Sequence, residues 1–205
     1  RASDNYIFFI ILSNVGPYFS SGNKMSKIMV EDKYVRASQG GMGFAKTGGN
    51  YASSLKAGME AGKKGFDQVL WLDAEERKYV EEVGSMNIFF VINDVLVTPE
   101  LDGSILPGIT RSSVLQLARH LNMKVEERKL EIKEVVEGLK SGRVSEVFGT
   151  GTACVVTPVG LLGYKGQEFK VGSGEIGKYS ALLYEHLTGI QYGEKEDIFN
   201  WMTIL

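Results

Sequence analysis

The chain has 205 residues, of which 43% are hydrophobic and 23% charged, proportions typical of a globular protein that buries a substantial core. Its formal net charge of −2 gives no electrostatic attraction to nucleic acid or anionic membranes. The apolar run at residues 6–12 is far shorter than the roughly 20 residues that span a bilayer. With Cys154 as its single cysteine, the chain excludes an internal disulfide and suits the reducing cytoplasm.

The first apolar segment, residues 5–13, is rich in β-branched and aromatic side chains and predicts a buried central strand. The following segment, 15–25, is rich in Gly, Ser, Asn and Pro and is predicted to be a crossover loop. Tyr18 and Phe19 in this loop either cover a hydrophobic surface or line a pocket between two domains. Because the opening strand needs partners and no initiator methionine precedes it, we expect a carboxy-terminal portion of a longer chain.

Alternating strands and helices are predicted for the rest of the chain from its hydrophobic periodicity. Strands are expected at residues 27–30, 68–72, 88–92, 95–97, 125–130, 146–148 and 155–159. Helices are expected at residues 50–62, 110–121, 132–139 and 174–187. Asn50 is the predicted N-cap of the first helix.

The stretch Gly40–Tyr51 holds five glycines and one lysine, Lys46. A phosphate-binding P-loop requires a glycine directly before its lysine, but Ala45 stands there. The dinucleotide pattern G-x-G-x-x-G also fails, because Lys46 occupies the place of its third glycine. A nucleotide- or phosphate-binding module is therefore a weak alternative, and an inactive scaffolding domain is another.

Schiff-base formation with an aldehyde such as pyridoxal phosphate is a second chemistry open to Lys46. That cofactor needs a carboxylate for its pyridine nitrogen, a hydroxyl for its phenolic oxygen, and donors for its phosphate. The candidates are Glu82, Tyr51, Thr110 and Thr152. Each also has a plainer explanation, as a surface carboxylate, a packed ring, a helix N-cap or an ordinary turn, and the neighbouring Glu81 is expected to be a surface residue.

The pattern of Gly40–Tyr51, Gly-Gly-x-Gly-x-x-Lys-x-Gly-Gly-Asn-Tyr, resembles the lysine motif of branched-chain amino acid aminotransferases, which are fold-type IV pyridoxal-phosphate enzymes. Colinear motifs occur at residues 15–19, 68–72, 82–87, 105–111, 143–154 and 190–193. The resemblance implies the α+β fold of D-amino acid aminotransferase and a homodimer with pyridoxal 5'-phosphate as cofactor. It also implies a ping-pong transfer of the amino group of leucine, isoleucine or valine to 2-oxoglutarate. Sibling enzymes, D-amino acid transaminase or aminodeoxychorismate lyase, are the alternative.

The resemblance also implies roles for individual residues and no metal. Lys46 would bind the cofactor covalently and move the substrate α-proton. The implied cofactor-binding residues are Lys46, Tyr51 at the phenolic oxygen, Glu82 at the pyridine nitrogen, Ile109, Thr110 and Thr152 at the phosphate, and Arg36. The implied substrate-binding residues are Tyr18, Ser85, Ala153 and Cys154.

Two departures and one missing part qualify the resemblance. Thr157 stands where some relatives have the second cysteine of Cys-x-x-Cys, which excludes a thiol–disulfide switch, and Ser85 replaces a common threonine. The resemblance assigns residues 1–19 to the end of a small amino-terminal domain and 20–205 to the large cofactor-binding domain. The rest of the small domain, with an arginine that clamps the phosphate, is absent from the sequence, so we expect the chain alone to be inactive.

Overall fold

The structure, a computed structural model, describes residues 1–14 and 25–203. Nine strands and four helices lie in the second of these ranges. The strands are β1 (Ser26–Glu31), β2 (Gln68–Leu72), β3 (Val80–Val83), β4 (Met86–Ile92), β5 (Val95–Thr98), β6 (Lys124–Glu127), β7 (Val144–Gly151), β8 (Val155–Tyr164) and β9 (Gln167–Lys170). The helices are α1 (Gly48–Lys63), α2 (Ile109–His120), α3 (Ile132–Ser141) and α4 (Lys178–Gln191).

Six of the strands close into a ring in the order β1-β2-β3-β4-β7-β8. β1 runs parallel to β2 and β8, and the other pairs in the ring are antiparallel. β3 closes the ring because it pairs with β2 on one side and with the first residues of β4 on the other. β5, β6 and β9 extend the sheet outside the ring. The predicted α+β fold class is confirmed, as a partial barrel with helices packed on it.

The hydrophobic core consists of separate clusters, because alternate side chains of each strand point to opposite faces of the sheet. One cluster takes buried residues from all six strands of the ring: Ile28, Leu70, Val83, Ile88, Val147 and Leu162. The alternate residues Phe89 and Phe148 stack with ring centroids 5.3 Å apart and pack under α2 and α4. Trp71 packs under α1. β3 and β4 are buried along their whole length.

Most predicted elements are observed with small shifts of their ends. The β4–β5 hairpin turns at Asn93 and Asp94, whose φ angles of 50° and 61° are the left-handed values that a two-residue type I′ turn requires. α3 ends at Gly142, with a φ of 75°. Sequence periodicity assigned no strand to β3, because two of its four residues are glutamates.

The predicted opening strand and the predicted N-cap of the first helix are wrong. Residues 5–13 form no strand, and the side chains of residues 6–12 are 69–91% exposed. A strand is stable only when neighbours satisfy its backbone, and no strand of the described sheet pairs with this segment. Asn50 is not an N-cap: α1 begins at Gly48 with Thr47 as its N-cap, and the Asn50 side chain hydrogen-bonds elsewhere.

Candidate active site

Lys46 lies at the end of the loop between β1 and α1, two residues before the helix begins. The Asn50 amide fixes this loop, because it donates to the carbonyls of Met42 and Ala45 at 2.8 Å and 2.9 Å. The side chain of Lys46 is exposed, and its Nζ lies 5.2 Å from the centroid of the Tyr51 ring. The loop and the first turn of α1 therefore present the lysine and the tyrosine side by side.

Gly43 sets how closely this loop approaches the rest of the site. It is buried, and a Cβ atom there would lie 2.0 Å from the Ser104 carbonyl oxygen. Only glycine allows two backbone segments to come this close. The glycine-rich loop is thus pressed against the segment between β5 and α2.

Glu82 is buried on β3, and two groups bind its carboxylate. Nη2 of Arg36 lies 3.0 Å from Oε2, and the Leu106 amide donates to Oε1 at 2.6 Å. Burial raises the pKa of Glu82 to about 7, while the charge of Arg36, the Leu106 amide and the charge of Lys46 each oppose that rise. The alternative of a surface carboxylate at Glu82 is excluded.

One cavity brings several of the predicted residues together. It is lined by Arg36, Ala45, Asn50, Tyr51, Ser54, Glu82, Gly84, Ser85 and Leu106. Lys46 is not one of the lining residues, but its Nζ lies beside the ring of Tyr51, which is, and its charge lowers the pKa of Glu82. Arg36, Tyr51, Glu82 and Ser85 therefore share one pocket, with a lysine at its edge.

The amino end of α2 follows directly from this pocket. Gly108 is its N-cap, so the alternative of Thr110 as an N-cap is wrong; Ile109 and Thr110 are the first two helical residues. The first turn carries no side-chain cap and no acidic residue, which leaves its N–H groups available to an anion. The side chain of Ile109 points into solvent.

Asn87 connects this helix end to β7. Its side chain donates to the Leu106 carbonyl at 2.8 Å, and it pairs across the sheet with Thr150. A Cβ atom at Gly108 would lie 2.1 Å from Asn87 Oδ1, so a larger residue there would displace the Asn87 amide. The hydroxyl of Thr150 is buried and has no hydrogen-bond partner among the described residues.

The turn after β7 carries the remaining predicted residues. Thr152 and Ala153 are exposed, and Cys154 is half-buried, which raises the pKa of its thiol. Because β7 places Thr150 opposite Asn87, this turn follows at the same end of the ring as the start of α2. Tyr18 lies outside the described residues.

Sequence reasoning missed three residues around the Arg36–Glu82 pair. Glu81 is 4% exposed, so its expected place on the surface is wrong. The Glu81 carboxylate contacts the Ser104 hydroxyl, which also contacts the Asp102 carboxylate. The one available signal is the sequence Val80-Glu81-Glu82-Val83, in which two glutamates stand between β-branched residues. Nothing in the sequence pattern points to Ser104.

Neither a metal cluster nor a membrane span is found in the described ranges. No group of three or more His, Cys, Asp or Glu side chains in residues 1–14 and 25–203 could hold a metal ion. None of the helices in that part of the chain is long and apolar enough to cross a membrane.

Comparison with known proteins identifies the fold and the family. The sequence model for amino-transferase class IV matches residues 2–162. The chain is 55% identical over 202 residues to branched-chain-amino-acid transaminase 1 of Bacillus subtilis, covering 98% of this chain and 57% of that protein. The chain therefore spans little more than half the length of that relative.

Solved structures give the same result. The branched-chain amino acid aminotransferase of Escherichia coli superposes with a TM-score of 0.78 at 33% identity, covering 91% of this chain and 58% of that one. The T.th. branched-chain amino acid aminotransferase, complexed with N-(5'-phosphopyridoxyl)-L-glutamate, has a TM-score of 0.75 at 32% identity, covering 88% and 56%. The chain belongs to the class IV aminotransferase family.

Proposed function

We propose that this chain forms the large domain of a branched-chain amino acid aminotransferase that uses pyridoxal 5'-phosphate. The reaction would move the amino group of leucine, isoleucine or valine to 2-oxoglutarate in a ping-pong cycle. The observation that carries the proposal is the buried Glu82–Arg36 pair, which shares a cavity with Tyr51 and Ser85 and has Lys46 at its edge. The names of the B. subtilis and E. coli relatives support the substrate class.

The residues around the cavity fit this cofactor. Pyridoxal phosphate, when bound, supplies an aldehyde for amines and a ring that withdraws electrons from the substrate carbon. Glu82 offers a buried carboxylate for a ring N–H, and Tyr51 offers a phenol hydroxyl near Lys46. The uncapped first turn of α2, at Ile109 and Thr110, suits a phosphate, and the unpartnered hydroxyl of Thr150 lies at the same end of the ring. The phosphopyridoxyl compound of the T.th. enzyme supports this choice.

The roles of these residues follow from their chemistry. Lys46 would hold the cofactor covalently through its Nζ, and the same nitrogen would take and return the proton of the substrate α-carbon. Glu82 would accept a hydrogen bond from the protonated ring nitrogen of the cofactor. The positive charge of that nitrogen would keep the Glu82 carboxylate ionised despite its burial. Ser85 and the backbone at Ala153 and Cys154 would bind the substrate carboxylate, and Thr152 would assist in binding the phosphate. Tyr18 would contact the substrate side chain.

We also infer the assembly and the domain boundary. Residues 20–205 would be the large domain, and residues 1–19 the end of a smaller one with the start of the interdomain loop, as the resemblance to the family implies. Several large apolar side chains on the glycine-rich loop and α1 are more than half exposed: Met42, Phe44, Leu55 and Met59. A homodimer would cover them. The single cysteine suits the cytoplasm.

Borohydride reduction tests the proposal directly. The chain is mixed with pyridoxal phosphate, reduced, digested and analysed by peptide mass spectrometry. We expect the phosphopyridoxyl group on Lys46 and its loss in Lys46→Ala, while Lys56→Ala, at an exposed position on α1, retains it. Label on any other lysine, or no cofactor absorbance, would overturn the site.

A second measurement addresses the substrate. In the full-length protein, L-leucine alone should convert the bound cofactor to its amine form, with a change in absorbance. D-alanine should not. A response to D-alanine and none to L-leucine would indicate the sibling D-amino acid enzymes instead.

A further inference from the structure

Glu81 lies beside Glu82 on β3, on the opposite face of the strand, and its surroundings are unusual for a carboxylate. It is 4% exposed, and its Oε1 lies 2.5 Å from the hydroxyl oxygen of Ser104, which is fully buried. The same hydroxyl oxygen lies 2.6 Å from Oδ1 of Asp102. The second oxygen of Glu81, Oε2, is buried with no hydrogen-bond partner in the described residues.

Proton counting constrains this arrangement. The hydroxyl of Ser104 has one hydrogen, but it contacts one carboxyl oxygen on each side. If Ser104 donates to Asp102, its contact with Glu81 requires a hydrogen from Glu81. A protonated Glu81 is neutral, which lowers the cost of leaving Oε2 without a partner. With one extra proton, both contacts of the Ser104 hydroxyl are hydrogen bonds. Without that proton, one of the two contacts has no hydrogen.

The backbone of Ser104 connects this network to the candidate active site. Its carbonyl oxygen accepts a hydrogen bond from Arg36 Nη2 at 2.8 Å, and the same nitrogen lies 3.0 Å from Glu82. Asp102 is held in turn by the Gln39 amide, at 3.0 Å, just before the glycine-rich loop. The contacts that hold Ser104 in place therefore also hold Arg36 in place.

We propose that Glu81 is a positioning residue, which shares one proton with Asp102 across the Ser104 hydroxyl and so holds the Ser104 carbonyl that aligns Arg36 against Glu82. Its effect on cofactor binding rests on the function proposed above. The sharing of a proton between Glu81 and Asp102 does not rest on that function, because both carboxyl groups and the Ser104 hydroxyl belong to the chain.

The charges that face Glu81 favour the protonated form. Burial raises the pKa of Glu81 to about 7; Asp102 and Asp73 add to that rise, and the Ser104 hydroxyl and Arg36 oppose it. Hydrogen bonds from Ser104 and Gln39 hold the pKa of Asp102 below its usual value in spite of burial. Glu81 also lines a second cavity, whose titratable lining groups include Asp73, Glu75, Glu76, Tyr79, Glu100, Asp102 and Lys129. The extra proton therefore resides on Glu81, which donates to the Ser104 hydroxyl, and that hydroxyl donates to Asp102.

The first arm of the test uses the chain without cofactor. Because Glu82 titrates in the same range, infrared difference spectra are recorded between about pH 5 and 9 on Glu82→Gln, which should show a carboxylic acid band that disappears near pH 7. The double variant Glu81→Gln/Glu82→Gln should lack that band, and Glu100→Gln, the matched control from the same cavity, should not change it when combined with Glu82→Gln. A Glu81 that is already ionised at the lowest pH would overturn the shared proton.

The second arm measures pyridoxal phosphate affinity and the pH dependence of the bound cofactor's absorbance. The affinity of the unmodified chain for pyridoxal phosphate should decline from pH 6 towards pH 8 as Glu81 loses its proton. Glu81→Gln, which mimics the protonated acid, should have an affinity within about twofold of that chain at pH 6 and should not show the decline. Glu81→Ala should lose about tenfold, as expected for a broken network. If Glu81→Ala matches the unmodified chain in affinity and pH profile, the positioning role is wrong. If the unmodified chain binds no cofactor, the proposed function fails, while the infrared arm still decides the shared proton.

Discussion

Arg36 and Glu82 form a buried ion pair, with Nη2 3.0 Å from Oε2 and side chains only 7% and 4% exposed. Removing one partner leaves the other charge unpaired in the interior, which typically costs about 3–5 kcal/mol. We therefore expect Arg36→Ala to destabilise the chain by about that amount at pH 8, measured by urea unfolding. The double variant Arg36→Ala/Glu82→Gln should recover much of the loss.

Arg128 provides the matched control for this measurement. It pairs with Glu134 at 2.6 Å, but both side chains are about one-third exposed. Exposed pairs contribute about 0–1 kcal/mol, so Arg128→Ala should cost far less than Arg36→Ala. Equal losses for the two variants would show that burial does not govern the Arg36–Glu82 pair.

Glu81 and Glu82 should make stability fall as pH rises. Both pKa values are raised by burial from 4.5 to about 7, so between these values the folded chain binds more protons than the unfolded chain. The stability that protonation gives is complete below about pH 4.5 and is lost as pH rises through about 7. We expect a decrease on the order of a few kcal/mol in the free energy of unfolding between pH 5 and 8.

The double variant Glu81→Gln/Glu82→Gln isolates this effect. It should unfold with nearly constant free energy across the same pH range. Denaturant titrations at several pH values measure this dependence. A pH dependence that persists in the double variant would assign it to other groups.

Gly43 and Gly48 should respond oppositely to alanine. A Cβ atom at Gly43 would lie 2.0 Å from the Ser104 carbonyl oxygen, a backbone atom that cannot move aside, whereas nothing lies within 4 Å of a Cβ atom at Gly48. Gly43→Ala should cost at least about 1–3 kcal/mol of stability through overpacking. Gly48→Ala, at the first residue of α1, should be neutral or stabilise by up to about 1 kcal/mol. Thermal unfolding compares the two, and similar melting temperatures would contradict the close packing.

The sequence predicted those parts of the fold that depend on local pattern. β2 at Gln68–Leu72 is an unbroken apolar run, and the turn at Asn93 and Asp94 uses residues that tolerate left-handed angles. Residues 5–13 have an equally clear strand pattern, but a strand also needs a neighbour, and periodicity does not say whether one is present.

The candidate site depended on information of another kind. The motif around Lys46 suggested the chemistry, and the roles of individual residues came from the family resemblance. What neither supplied is the non-local arrangement: Ser104 reaches Glu81 across 23 positions and Arg36 across 68. β3 was missed for the same reason, since its glutamates are buried by partners distant in sequence.

The amino end of α2 offers a final test through charge at Ile109. This residue opens a helix whose first turn has no cap and no acidic residue, and its side chain is exposed, so substitution there should not disturb the core. Ile109→Asp should stabilise the helix by a few tenths of a kcal/mol through the macrodipole. It should also weaken pyridoxal phosphate binding by about tenfold or more, because the new carboxylate repels the phosphate. Gln116→Asp, exposed two turns further along the helix, should leave the affinity unchanged. Absorbance titrations measure both variants, and equal affinities would mean that the phosphate lies elsewhere.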